Sequence, residues 1–182
     1  MNIAQGLLPF QLVEDTSQVL ITSFGGLPLV METFRALGLP QSIQKHLPLQ
    51  RRPGKYEEAD YVESFISVFA AGGDCFDDFQ LLRQDPVLQK LGLKVPSPES
   101  ARFFANAFHE EAKLQGRVPH EAFIPEETEG LQGMEKVNRD LIHKATLREA
   151  PWKATIDMDA LIIGSDKREA FYTYLGDRGI SR

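Results

Sequence analysis

Helix-breaking residues recur at short intervals between residues 27 and 108, and they limit the length of any helix that can form there. The breaks follow runs of apolar residues at helical spacing, such as Val30, Phe34 and Leu37. The breaks are Gly38-Leu39-Pro40, Gly72-Gly73, Asp85-Pro86, Gly92 and Ser97-Pro98. Glycine commonly ends a helix, and an Asp-Pro or Ser-Pro step supplies an N-cap followed by a proline in the first turn. The pattern therefore predicts several short helices rather than a few long ones.

Phenylalanine is concentrated in the same stretch of the chain. Seven of the twelve phenylalanines lie between residues 65 and 108. They are Phe65, Phe69, Phe76, Phe79, Phe103, Phe104 and Phe108. Large apolar side chains at helical spacing are typical of a buried core. We expect a small helical domain over residues 1–115, whose core these rings supply, and thus a mainly α fold class.

The pattern changes twice after residue 115. Residues 116–130 are rich in proline, glycine and glutamate, and an amphipathic helix follows them, so we interpret 116–150 as a linker and a helix. From Lys153 the apolar residues alternate with period two, which predicts a strand, and residues 170–175 predict a second strand after a turn. A lone hairpin is marginally stable and needs a larger sheet, so residues 151–182 are expected to begin a domain that this chain does not finish.

Charge and composition exclude several classes of protein. The net charge of −6 argues against a uniformly basic nucleic-acid binder, although residues 1–56 carry +2 and residues 57–150 carry −8. No apolar run is long enough to cross a bilayer, and the first residues do not resemble a signal peptide. The single cysteine, Cys75, excludes an internal disulfide, and we expect it to be a buried structural thiol. These features favour a cytoplasmic protein without a membrane partner.

Two aspartates form the clearest candidate site. Asp157 and Asp159 lie two residues apart on the first predicted strand, so their carboxylates project from the same face. Two carboxylates on a mostly apolar strand repel each other, and Mg²⁺ or Mn²⁺ would compensate them because these ions prefer oxygen ligands. In the alternative interpretation, one aspartate faces solvent at a sheet edge and the other caps a turn.

The sequence around these aspartates resembles the start of the catalytic domain of bacterial insertion-sequence transposases of the DDE type, in the group called transposase DDE domain, group 1. The resembling segments are 155–160 and 167–176. Upstream segments also resemble that family in the same order: 26–29, 51–56, 70–78, 81–86 and 96–98. The resemblance spans roughly residues 10–180.

The resemblance implies that residues 151–182 begin an incomplete RNase H-like α/β catalytic domain. In such enzymes the first strand carries the first acidic residue of a DDE triad, which holds two divalent metals for DNA cleavage and strand transfer. Asp159 is the first choice for that residue and Asp157 the alternative, each as catalytic residue and metal ligand. Leu161 stands where the family has threonine. The second aspartate and the glutamate of the family lie further downstream, so we expect an N-terminal portion that is inactive alone. Mg²⁺ or Mn²⁺ would act in the full-length enzyme.

The helical region would then recognise the terminal repeats of the element's DNA. Arg51, Arg52 and Lys55 lie on a Gly/Pro loop and suit phosphate contacts, although such loop residues are often simply solvated. Arg102 lies on a helix that could act as a recognition helix. Lys167 and Arg168 lie beside the catalytic strand and could touch a scissile-strand phosphate, or merely occupy an exposed turn.

The resemblance implies DNA as the partner. A homo-oligomer and two rival functions are also considered. The alternative functions are a non-catalytic helical module that binds DNA or protein, and a transposase remnant without function.

Overall fold

A computed structural model describes most of the helical part of the chain. It describes residues 20–47, 49, 54–115, 118, 126–148 and 153, together with the backbone of three short strands in residues 162–181. The described part is mainly helical, which confirms the predicted fold class at that level.

Seven α-helices and two 3₁₀ turns make up the described helical region. The helices are α1 Leu27–Ala36, α2 Leu39–His46, α3 Glu58–Ala70, α4 Phe79–Gln84, α5 Pro86–Lys90, α6 Pro98–Asn106 and α7 Glu129–Arg148. The 3₁₀ turns are Phe76–Asp78 and Glu111–Leu114. Apart from α7, no helix in this region exceeds 13 residues, as the dense helix breaks predict.

The predicted breaks act through local chemistry. Gly38 separates α1 from α2 with a φ of 74°, a left-handed conformation that strains any residue with a Cβ. Asp85 begins α5 by accepting hydrogen bonds from the backbone N–H groups of Val87 and Leu88, both at 2.9 Å. Ser97 begins α6 in the same way, because its hydroxyl accepts from the N–H of Ser100 at 3.2 Å.

Two hydrophobic clusters form the core, and Phe65 packs against both of them. One cluster joins α1, the end of α3, α4 and α5, with Phe79, Leu82 and Leu88 almost fully buried. The other cluster joins α2, the start of α3, α6 and α7, and includes Phe104 and α7 residues. The ring of Phe65 lies 4.8 Å from that of Phe79 and 6.2 Å from that of Phe104 between ring centres. The phenylalanine-rich stretch therefore supplies core residues, as predicted.

Two of those phenylalanines lie mostly outside the core. Phe69 is 63% exposed and Phe103 is 67% exposed. On α3 the buried positions Val62 and Val68 face the clusters, and Phe69 projects from the edge of that face. Helical spacing identifies a face but not how much of it the neighbouring helices cover.

Helix α7 packs against α2 and belongs to the second cluster. Val137 is 2% exposed. A Cβ on Gly133 would overlap the carbonyl oxygen of His46, so only glycine permits this close approach of the two helices. The amphipathic helix predicted within residues 116–150 is thus present, and it contacts the helical region directly.

The strands lie at the end of the chain. They are β1 Ile162–Gly164, β2 Phe171–Tyr172 and β3 Arg178–Ser181. β3 lies between the other two and pairs antiparallel with both, with Ile163 opposite Ile180 and Phe171 opposite Gly179. Most of the predicted hairpin lies outside the described residues, so that prediction is not tested. Within the described residues, no helix is both long and apolar enough to cross a membrane.

Candidate nucleic-acid interface

Most of the predicted site residues lie outside the part of the chain that the structure describes. These are Asp157 and Asp159, Arg51 and Arg52, and Lys167 and Arg168. That the two aspartates bind a divalent metal therefore stays a prediction. The two predicted DNA-binding residues that the structure does describe are Lys55 and Arg102.

Lys55 lies on the loop that precedes α3. Its ammonium group is exposed and lies 5.4 Å from the centre of the Tyr56 ring. Among the described residues, no carboxylate lies within 4 Å of this ammonium group. Lys55 can therefore contact an external anion without first breaking an ion pair to a described residue.

Arg102 lies on α6, and its ring contact is with Phe76 rather than with a neighbour of Lys55. Its guanidinium carbon is 5.2 Å from the centre of the Phe76 ring, and the side chain is exposed. Such a cation–π contact at an exposed site contributes about 0.5–1 kcal/mol. Arg102 is not among the described residues that line the cleft containing Lys55.

Lys55 lines a polar cleft, here called the basic cleft, of about 410 Å³. Two more cations line it, Arg83 at the end of α4 and Lys94 between α5 and α6. Three glutamines accompany them: Gln80, Gln84 and Gln89. Sequence reasoning missed Arg83 and Lys94 because they are separated from Lys55 by 28 and 39 positions, and no local pattern connects them.

Asp85 joins α4 to α5, two helices whose residues Arg83 and Gln89 line the basic cleft. Besides capping α5, its carboxylate accepts a hydrogen bond at 2.7 Å from the hydroxyl of Thr22. Burial raises the pKa of this carboxyl, but the hydrogen bonds from Thr22, Leu88 and Val87 outweigh it, so the pKa lies below its usual value. The charged form of Asp85 is therefore the form that stabilises this junction.

A second polar cleft, here called the mixed cleft, lies where α2 meets α7. It has a volume of about 730 Å³. Its charged lining includes Glu110 and Glu129 as well as Lys113 and Lys136. Because carboxylates and ammonium groups are interspersed, this cleft offers no consistent charge to a polyanion.

Three polar side chains connect α2 to α7 beside the mixed cleft, and sequence reasoning did not find them. The carboxylate of Asp140 accepts from the hydroxyl of Ser42 at 2.8 Å and lies 3.1 Å from Nε2 of His46. The hydrogen bond from Ser42 is the main cause of a lowered pKa at Asp140, and the positive potential of His46 and Lys45 adds to it. Ser42 and His46 both face the same carboxylate oxygen and do not bond each other. The set therefore holds two helices together and does not form an activated serine nucleophile.

Cys75 is exposed, so the prediction of a buried thiol is wrong. It precedes the first 3₁₀ turn, where the carboxylate of Asp78 accepts hydrogen bonds from the N–H groups of Asp74 and Cys75 and from the Cys75 thiol. These bonds, the one from the Cys75 N–H first, lower the pKa of Asp78. Asp74, Cys75 and Asp78 offer possible metal ligands within 4.8 Å of one another, but the hydrogen bonds already explain the cluster as a local turn.

An apolar cleft of about 540 Å³ lies between α1, α3, α6 and α7. The rings of Phe34, Phe69 and Phe108 contribute to its lining. Nothing in the described residues shows what covers this surface.

Comparison with known proteins identifies no relative. No protein-family model matches this chain, no curated protein has a significantly similar sequence, and no solved structure has a significantly similar fold.

Proposed function

We propose that this chain is the N-terminal portion of a DDE transposase and that its helical region binds the terminal repeats of the element's DNA in the cytoplasm. The ordered resemblance over roughly residues 10–180 supports the family. Among the described residues, the observation that carries DNA binding is the exposed ammonium group of Lys55, which has no carboxylate partner there. Arg51 and Arg52 are the proposed phosphate contacts that precede it in sequence.

The catalytic part of the proposal rests on the resemblance alone. Asp159, with Asp157 as the alternative, would supply the first triad carboxylate and ligate Mg²⁺ or Mn²⁺, which would activate water or a DNA 3′-hydroxyl. Lys167 and Arg168 would contact the scissile strand. Because the other two acidic residues are expected downstream, we propose that this chain alone does not transfer DNA strands. An RNase H-like fold for residues 151–182 and assembly as a homo-oligomer belong to the same proposal.

A binding experiment tests the DNA-recognition step. The full chain is titrated into labelled duplexes that carry the terminal repeats flanking the gene, with scrambled duplexes of equal length as the control. We expect preferential binding to the repeats and weaker binding as salt rises. The variant Arg51→Ala/Arg52→Ala should bind both duplexes more weakly, because backbone contacts do not depend on sequence. Equal affinity for repeats and scrambled DNA would contradict end recognition, and no binding at low salt would contradict DNA binding.

A non-catalytic DNA-binding module is the second candidate function. The described helical region contains two buried clusters of its own, which favours a region that works without a catalytic domain. The reading frame downstream of Arg182 separates the two candidates. A continuation that carries the missing aspartate and glutamate supports the transposase, whereas its absence together with repeat binding supports the module. Absence of both indicates a remnant.

A further inference from the structure

Three segments of the helical region bring their cations to the basic cleft. Lys55 comes from the loop before α3, Arg83 from the last turn of α4, and Lys94 from the segment between α5 and α6. All three side chains are exposed. They therefore present positive charge across an open surface rather than around a buried point.

No carboxylate is among the described residues that line this cleft, although the chain as a whole carries a net charge of −6. Among the described residues, neither Lys55 nor Arg83 has a carboxylate within 4 Å. Nζ of Lys94 lies 3.7 Å from Oδ1 of Asp60, but the Lys94 side chain remains 64% exposed. The other oxygen of Asp60 accepts the N–H of Glu57, so this carboxylate is partly used in capping α3. The cleft thus keeps an excess of positive charge that an anionic ligand would neutralise.

Neutral donors surround the three cations. The side-chain amides of Gln80, Gln84 and Gln89 line the same cleft. Nε2 of Gln89 donates to the carbonyl of Arg83 at 2.5 Å, which fixes the end of α4 against α5 and leaves the Arg83 guanidinium available. Arginine, lysine and glutamine side chains are common donors to the phosphates of a nucleic-acid backbone.

We infer that the basic cleft binds the phosphodiester backbone of duplex DNA, with Lys55, Arg83 and Lys94 each contacting a phosphate. This inference rests on the proposed function and adds Arg83 and Lys94 to its DNA-binding surface. Because the three cations come from separate segments, each can contact a phosphate of its own. The contacts are independent of base sequence, so they position the chain on the duplex and do not select a repeat.

The salt dependence of binding measures how many phosphates the cleft contacts. Each lost phosphate contact lowers the magnitude of the slope of log affinity against log salt by about 0.9. The variant K55Q/R83Q/K94Q should therefore lose about 2.7 from that slope. Between about 50 and about 200 mM salt, the affinity of the unsubstituted chain for a short random duplex should fall about 40-fold more than that of the variant.

Two further variants serve as controls for this measurement. K136Q/R139Q/K144Q removes the same charge from exposed positions on α7 that do not line the basic cleft, and its slope should match that of the unsubstituted chain. K55R/R83K/K94R keeps every charge and should keep the slope. Circular dichroism checks that all variants retain their helices.

The outcomes distinguish failure of the inference alone from failure of the proposed function. If the chain binds DNA and K55Q/R83Q/K94Q keeps its full slope, the inference is overturned while DNA binding stands. If the unsubstituted chain binds no duplex at low salt, both are overturned. A third arm titrates inorganic phosphate at constant ionic strength. Saturable phosphate binding that the variant loses, together with an unchanged duplex slope, would assign the cleft to a small phosphate ligand and overturn the inference.

Discussion

The basic cleft gathers three cations and three glutamines, whereas the mixed cleft sets Lys113 and Lys136 against Glu110 and Glu129. The mixed cleft is the larger, at about 730 Å³ against about 410 Å³. Volume alone would therefore favour the mixed cleft as a binding site. Charge composition favours the basic cleft, because its described lining residues include three cations and no carboxylate, which attracts a polyanion.

The two clefts also differ in what their surroundings do for the fold. The mixed cleft lies at the junction of α2 and α7, which depends on the close approach at Gly133 and on the hydrogen bonds of Asp140. The cations of the basic cleft are exposed side chains, and Arg83 among them lies at the α4–α5 junction that Asp85 stabilises. Substitutions beside the mixed cleft should change stability, and loss of cations from the basic cleft should change binding.

The largest expected effect is at the α2–α7 junction. In Gly133→Ala the new Cβ meets the His46 carbonyl, which cannot rotate away as a side chain would. Overpacking of this kind costs about 3 kcal/mol, and better helix propensity returns about 1 kcal/mol, so we expect a net loss of about 2 kcal/mol. Urea unfolding measures it. Gly25→Ala, where a Cβ would meet open space, should change stability by less than about 0.5 kcal/mol. Equal stability of the two variants would contradict the close approach.

The next effect concerns the scaffold of the basic cleft. Asp85→Ala removes the N-cap of α5 and the acceptor of the Thr22 hydroxyl. Loss of such a cap costs about 1 kcal/mol and up to about 2 kcal/mol, which thermal unfolding can detect. Asp85→Asn keeps a capping oxygen and should lose less. If both variants lost the same stability, the charge of Asp85 rather than its capping geometry would be what matters.

A smaller effect separates the clefts directly. Arg83→Gln should lower the magnitude of the slope of log affinity against log salt by about 0.9. Between about 50 and about 200 mM salt, the affinity of the unsubstituted chain for the duplex should therefore fall about 3.5-fold more than that of the variant. Lys136→Gln removes the same charge from the mixed cleft and should leave the slope unchanged. Fluorescence anisotropy with a random duplex measures both. A lower slope for Lys136→Gln alone would reverse the assignment of the two clefts.

The smallest expected effect is the loss of folding stability at low pH that Asp140 causes. The lowered pKa of Asp140 means that its ionised form stabilises the fold above about pH 4, and that this contribution disappears as pH falls through the folded pKa. Asp140→Asn does not titrate, so the difference in stability between the two proteins should shrink below about pH 4. Urea unfolding across that range tests this. A difference that stays constant with pH would show that the carboxylate charge contributes nothing.

The candidate site was only partly predictable. The sequence predicts Lys55 as a DNA contact because it lies in a local run of basic residues, and the described structure places it in an open polar cleft. Arg102 also stays a predicted DNA contact, but it is not among the described residues that line that cleft. Arg83 and Lys94 carry no local signal, and the exposure of Cys75 was predicted wrongly because a helix start does not reveal which neighbours cover it.

The amino-acid sequence by itself determined where the short helices begin and end. Gly38, Asp85 and Ser97 act on backbone groups within a few residues of themselves, so their effects can be predicted without knowledge of the tertiary structure. The tertiary structure decided which side chains share a cleft or a hydrogen bond. Asp140 bonds a serine 98 positions away, and the cations of the basic cleft come from three segments. Such contacts depend on how the helices pack around Phe65, and packing follows from the shapes of distant side chains rather than from any local pattern.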